Sequence, residues 1–320
     1  MAPSPKKRTV LFDHDGGVDD ILSLTMLLSM PHIDLAGVVI TPADCFLRPA
    51  LSATLKVLRF FDRFDIEVGA GNLHGVHAFP RAWRTHAYAI DAFPILNEIT
   101  AGTPDLSTGR LVDEVGHDFL ARKLRQATTP VTVLATGPVS NLAAALATEP
   151  ELADKIEEVV WMGGALEVTG NVKDYEHDGS AEWNVYWDPS AAHTLWQTDV
   201  PITLFPLDAT NQVNVTTEFL QRLAQQRRYP VSDFAGQCWA ITVGVIPAYE
   251  YIYHMWDTLT TGYLGAPHTI TFRDVRCQII ASGPGAGRTR ITDTGGRIVR
   301  AASTVDVEKF HRYILDLFKR

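Results

Sequence analysis

Cysteine is scarce in this chain: Cys45, Cys238 and Cys277 are the only three in 320 residues, with an odd count and no Cys-x-x-Cys spacing. That argues against a disulfide framework. Basic residues are also in short supply, 28 Lys and Arg against 37 Asp and Glu, for a net charge of −9. A nucleic-acid partner would require a basic stripe, so that class is set aside. The same balance disfavours a phosphorylated substrate at a carboxylate-rich site, where a neutral polyol or sugar fits better. No apolar run reaches transmembrane length, and none of signal-peptide length lies near the N-terminus. Low-complexity tracts, internal repeats and interdomain linkers are missing too. The expectation is a single domain over residues 1–320, cytoplasmic, with no membrane partner. Its 46% hydrophobic content is ample for one large core.

What the chain does have is an acidic run, Asp13-His14-Asp15-Gly16-Gly17-Val18-Asp19-Asp20, directly after the apolar Val10-Leu11-Phe12. Four carboxylates in eight residues repel one another unless something neutralises them. A hard divalent cation such as Ca²⁺ or Mg²⁺ does so best, because it takes oxygen ligands. Complementing a helix dipole accounts for Asp19 and Asp20 but not for Asp13 and Asp15 on the strand side. The run therefore reads as a strand-to-helix loop at the carboxyl end of a strand, where open α/β sheets place their ligands.

Short β-rich segments alternate with helical ones along most of the chain. Strands are expected at 9–12, 35–40, 67–70, 131–135, 159–162 and 202–205. Helices are expected at 20–29, 49–61, 110–125, 139–148 and 305–319. This rhythm predicts an α/β fold with a mainly parallel central sheet and helices on both faces. Residues 289–292 and 297–300, flanking Thr294-Gly295-Gly296, read as a C-terminal hairpin. Residues 71–106, with His74, His77 and His86, and residues 163–190 read as long loops, a class more often functional than idle. The glycine-rich 281–287 stretch is not followed by a helix and reads as an ordinary turn.

Several polar residues stand at predicted strand ends on the same sheet edge as Asp15. Thr41-Pro42-Ala43-Asp44 closes one strand and Thr136-Gly137-Pro138 another, while Glu182-Trp183-Asn184 and Trp256-Asp257 follow loops. Taken singly, each has a plain structural role as turn former, surface acid or helix cap. Together they would line a pocket of carboxylate and amide groups suited to sugar hydroxyls.

These residues, with Phe79-Pro80-x-x-Trp83-Arg84, Ser140-Asn141, Met162-Gly163-Gly164-Ala165 and Gly170-Asn171, resemble the signature of the nucleoside hydrolases over nearly the whole chain. Trp83 and the later motifs look most like the purine-specific inosine-adenosine-guanosine branch. The resemblance implies the Rossmann-like nucleoside hydrolase fold, a Ca²⁺ cofactor, a purine ribonucleoside substrate and a homodimer. It implies metal ligation by Asp15, Asp20, Asp257 and the backbone carbonyl of Thr136, with Asp15 also the general base for the attacking water. Asp19 and Asn184 would hold ribose hydroxyls, Asn171 and Glu182 the 5′ end, and Asp44 would sit beside the water, with Trp183 also lining the substrate site. Many relatives carry a histidine directly before the last aspartate; here it is Trp256. Trp83 and Trp256 are thus expected to sandwich the purine and raise its basicity. His254, at helical spacing from Asp257, is the candidate general acid. Gly17 stands where the purine branch can carry a larger polar residue.

Two rival readings arise from the same residues. Phe12-Asp13-His14-Asp15-Gly16 also meets the opening motif of haloacid dehalogenase-type phosphohydrolases, with Asp13 as nucleophile. That reading needs a strand-end lysine and a late acidic pair, and neither is evident. A non-catalytic ribose- or metal-binding protein on the same scaffold would keep the metal ligands and lose the base or the 5′ grip, yet Asp15, Asn171, Glu182 and Asn184 are all present.

Overall fold

A computed structural model describes residues 7–98, 110–244 and 253–320. Residues 99–106 of the first expected loop, and most of the tyrosine-rich segment before Trp256, lie outside them.

Ten strands form one sheet: β1 (Arg8–His14), β2 (Ile33–Ile40), β3 (Glu67–Ala70), β4 (Arg110–Val115), β5 (Val131–Ala135), β6 (Ile156–Met162), β7 (Ile202–Phe205), β8 (Ile270–Ile279), β9 (Thr289–Ile291) and β10 (Arg297–Val305). Their order is β4-β3-β2-β1-β5-β6-β7-β10-β8-β9. All pairings from β4 to β10 are parallel, and β8 is antiparallel to both β10 and β9.

β1 shows why the sheet is central. Val10 and Phe12 join one apolar cluster, which includes Ile21 and Leu22 of the helix Val18–Ser29. Leu11 joins another with Leu120 and Leu124 of the helix Gly116–Gln126 and Leu142 of the helix Ser140–Thr148. Alternate residues thus face opposite helical layers, the pattern of a strand covered on both sides.

The chain builds β1 to β4 outward in one direction, then returns to place β5 on the other side of β1. The carboxyl ends of β1 and β5 therefore flank a topological switch point, where a crevice opens.

Two sequence expectations change. Residues 110–125 are not one helix: 110–115 form the edge strand β4, and the helix starts at Gly116. The β-branched Val112 and Val115 favour the extended form, and β3 supplies the pairing edge. The expected hairpin of 289–292 with 297–300 does not form, because β8 lies between β9 and β10 and pairs with both. β8 was not legible as a strand, since its exposed positions carry Arg273, Asp274 and Arg276 among the apolar ones. The 281–287 stretch is the turn joining β8 to β9, as its composition indicated. The final helix spans Val307–Leu317.

Candidate active site

The acidic run leaves β1 and enters the helix Val18–Ser29 at the switch point, so strand end and helix start deliver their carboxylates to one place. Two overlapping groups result. Asp15, Asp20 and Asp44 have oxygens within 4.8 Å of one another, as do Asp19, Asp20 and Asp257. Asp44 comes from the loop after β2, and Asp257 from the first turn of the helix Trp256–Gly262. The expected ligands Asp15, Asp20 and Asp257 are thus drawn together, with Asp20 shared by both groups.

Close packing of acids depends on two glycines. A Cβ at Gly17 would come within 2.5 Å of an Asp44 oxygen, and one at Gly137 within 2.9 Å of the Asp15 side chain. Any larger residue at 17 would push the Asp44 carboxylate aside, so glycine is what lets these acids stand as close as they do.

The carboxylates are held by neutral donors. Asp20 accepts from the Gly17 N–H at 2.7 Å and from the Thr136 hydroxyl. Asp15 accepts from the Asp44 N–H at 3.2 Å. Asp19 accepts from the Tyr253 hydroxyl at 2.9 Å and the Asp257 N–H at 3.1 Å. Asp44 Oδ1 is buried with no hydrogen-bond partner. Burial, then mutual repulsion, drives the carboxyls of Asp15, Asp44 and Asp257 well above the usual range. Burial is also the leading cause that lifts Asp20 to about 6. An all-oxygen donor set, an orphaned buried carboxylate oxygen and crowded negative charge together fit a hard divalent cation.

The Thr136 carbonyl accepts from Asn184 Nδ2 at 3.0 Å, which leaves its second lone pair for a ligand. Asn184 Nδ2 also donates to the Met162 carbonyl at 3.1 Å, so this amide ties β5 to β6 beneath the site. Asn171 Oδ1 accepts from the Trp183 N–H at 3.1 Å. Glu182 caps the helix Trp183–Trp187, accepting from Asn184 N–H at 2.9 Å, Val185 N–H at 3.4 Å and Gly164 N–H at 3.1 Å. The residues expected to grip ribose are thus also the joints of their own loops.

Glu182 carries a pH signature. Burial pushes its carboxyl from 4.5 up to about 7, although backbone N–H groups pull the other way. A raised acid holds its proton longer in the folded chain than in the unfolded one. Its contribution is therefore full below about 4.5 and declines as pH rises to about 7. In chelator, Glu182→Gln is expected to flatten the fall of Tm across that window relative to the parent. Parallel Tm profiles would assign the effect to another group.

The aromatic residues fall in two places. Trp83 packs edge-on to Trp183 at 5.8 Å and to Phe79 at 6.3 Å. Trp256 packs against Tyr253 at 4.9 Å and against Met162, Ala165 and Leu207, its Nε1–H donating to Asn211 at 3.2 Å. The two tryptophans belong to separate clusters and make no ring contact with each other among the described residues. His254 corrects an expectation: it precedes the helix Trp256–Gly262 and bridges to Asn214, so helical spacing does not relate it to Asp257. Burial holds its imidazole below the ordinary value, and its Nδ1 has no partner. Sequence reasoning missed Tyr253 as the donor to Asp19, because no local pattern ties a residue before one helix to an acid 234 positions earlier.

Comparison with known proteins agrees with this layout. Residues 10–312 match the family model described as inosine-uridine preferring nucleoside hydrolase. The chain belongs to this family. A solved inosine-uridine preferring nucleoside hydrolase from Bacillus anthracis is 41% identical, with a TM-score of 0.91 over 98% of this chain and 99% of that one. The pyrimidine-specific ribonucleoside hydrolase RihA of Shewanella baltica (strain OS155) is 31% identical over 266 residues, 81% of this chain and 74% of the relative. A purine-preferring ribonucleoside hydrolase from Gardnerella vaginalis, 24% identical, shares the fold with a TM-score of 0.77 over 98% of each chain. As a nucleoside hydrolase, the protein acts on N-glycosyl bonds. Asp13, the nucleophile of the phosphohydrolase reading, is buried and bonded through Oδ1 to Thr41 and Asn141, and it lies outside both aspartate groups.

Proposed function

We propose that this nucleoside hydrolase cleaves the N-glycosidic bond of purine ribonucleosides, releasing ribose and the free base, with Ca²⁺ as its cofactor. The observation that carries the reading is the pair of overlapping aspartate groups at the switch point, built from oxygen donors alone. Asp15, Asp20, Asp257 and the Thr136 carbonyl would hold Ca²⁺, which neutralises the acids and acidifies a water in its shell. Asp15 takes the proton of the attacking water. Asp44 lies beside that water. Asp19 accepts from a ribose hydroxyl on lone pairs that Tyr253 and Asp257 leave free, and Asn184 helps to orient the sugar. Asn171 and Glu182 hold the 5′ end. Positive charge that builds on the ribose in the transition state meets a nest of carboxylates already in place.

Trp83, backed by Trp183, and Trp256 offer aromatic surfaces to the base, which favours a purine. The name of the Shewanella relative favours the second reading, a pyrimidine nucleoside. Turnover of inosine, guanosine, adenosine, uridine and cytidine, each with Ca²⁺ and with chelator, decides between them. Purine turnover that vanishes in chelator supports the proposal. A uridine and cytidine preference moves the substrate to pyrimidines, and undiminished activity in strong chelator rejects the metal.

If stacking activates the leaving base, Trp83→Ala and Trp256→Ala should lower kcat for inosine more than they raise KM. Stacking as plain binding, about 1–3 kcal/mol per base, would appear mainly in KM. A p-nitrophenyl riboside needs no protonation on departure, so both variants should hydrolyse it nearly as well as the parent. Equal losses on both substrates would make the tryptophans structural, and the departing base would then need another proton source.

A further inference from the structure

We propose that Asp13, which has no part in the reaction above, is a positioning residue that fixes the acid loop through a buried tie with Thr41 and Asn141. Asp13 Oδ1 accepts from the Thr41 hydroxyl at 3.0 Å and from Asn141 Nδ2 at 3.3 Å, and Asn141 Nδ2 also donates to the Thr41 oxygen at 2.8 Å. The three side chains form a closed triangle, and each is buried to within 1%. Asp13 belongs to neither aspartate group at the metal site.

The triangle joins the strand ends on which the site is built. Asp13 is two residues before Asp15 on β1, Thr41 lies between β2 and Asp44, and Asn141 follows Thr136 in the helix after β5. Backbone bonds stitch the same ends: Thr136 N–H donates to the Asp13 carbonyl at 3.0 Å, and Thr41 N–H to the His14 carbonyl at 2.7 Å. Gly116 walls in the amide, since a Cβ there would stand 2.9 Å from Asn141 Oδ1.

This arrangement is costly for stability alone. Asp13 Oδ2 and Asn141 Oδ1 are buried without partners, a penalty that an apolar trio of similar volume would avoid. What the polar trio supplies is direction. Each bond fixes one strand end relative to the next, and the ligand oxygens ride on those ends. Groups behind metal ligands commonly act this way.

The tie rests on the proposed function only for its kinetic readout, and Ca²⁺ affinity provides a second one. In the whole 320-residue chain, Ca²⁺ titration calorimetry and inosine kinetics are run on Asp13→Ala, Asp13→Asn and Thr41→Val well below their Tm. Asp13→Ala is expected to lose about 10–100-fold in both Ca²⁺ affinity and kcat. KM should move by less than about threefold, since uniform binding is not what is lost. Asp13→Asn keeps an acceptor oxygen for Thr41 and Asn141 and should recover most of both. A folded Ala variant with the parent's affinity and kcat overturns the proposal, as does an Asn variant as damaged as the Ala one. Should Asp13→Ala not fold, Thr41→Val removes both bonds of the Thr41 hydroxyl while leaving the Asn141–Asp13 bond, and is expected to cost about 3–10-fold in both readouts. A parent-like result there is equally fatal. A parent that hydrolyses no nucleoside would reject the proposed function, while the calcium arm would still judge the tie.

Discussion

Asp15→Asn is expected to lower kcat for ribonucleosides by about 10²–10⁴, the range that a positioned general base supplies. The amide keeps the shape of the side chain and one oxygen, but it cannot take the water's proton. Folding should survive, because Asp15 is buried where its carboxyl is held well above the usual range, and a neutral isostere removes that burden. Ca²⁺ should still bind, less tightly, through the remaining oxygen. Asp20→Ala separates ligation from base chemistry. Asp20 is common to both aspartate groups, so its loss should abolish tight Ca²⁺ binding and turnover together. Calorimetry alongside steady-state kinetics distinguishes the two. An Asp15→Asn enzyme within tenfold of the parent would move the base elsewhere, with Asp44 next in reach of the same site.

The gathering of these acids at one edge of the sheet was legible in the sequence for a physical reason. Asp13 to Asp20 lie within one strand-loop-helix unit, and local spacing alone puts Asp15 at a strand's carboxyl end. The β-rich runs of β1, β2, β5, β6 and β7 are buried on both faces, so continuous apolar residues mark them plainly. β4 and β8 are different. Their exposed positions carry arginine, aspartate and glutamate, and only pairing with a neighbour makes them strands. β8 pairs with β10 across a long stretch of sequence, and no local pattern announces that register. The same limit holds inside the site. Tyr253 reaches Asp19, and Asn141 reaches Asp13, through contacts made only after the sheet has assembled. Glu182 shows a subtler limit. Its acidity suggested a ligand group, yet its oxygens also cap a helix of just five residues, a role visible only once the backbone has turned around it.

Replacing inosine by 2′-deoxyinosine is expected to reduce kcat/KM by about 10⁴ or more, because a site built for a hydroxyl leaves its own groups unpaired without it. Here those groups are carboxylates. Asp19 is 5% exposed and Asp20 is 1% exposed, so neither can turn to bulk water to recover a lost partner. Neutral donors from Tyr253, Thr136 and the backbone satisfy part of each acid, and the ribose hydroxyls are the natural completion. Ca²⁺ takes six to eight oxygens, so where the ribose hydroxyls complete the shell of the proposed ion, loss of one would also remove a ligand of the cation. The penalty should therefore fall on both KM and kcat, since the sugar is bound less well and held less accurately. Changing the base leaves these contacts alone, so deoxyuridine should be penalised against uridine by a similar factor whichever base the enzyme prefers. That independence is the useful part of the test. Comparable kcat/KM for ribo- and deoxyribonucleosides would show that Asp19, Asn184 and the metal do not grip the 2′-hydroxyl, and recognition would then have to reside in the base and the 5′ end.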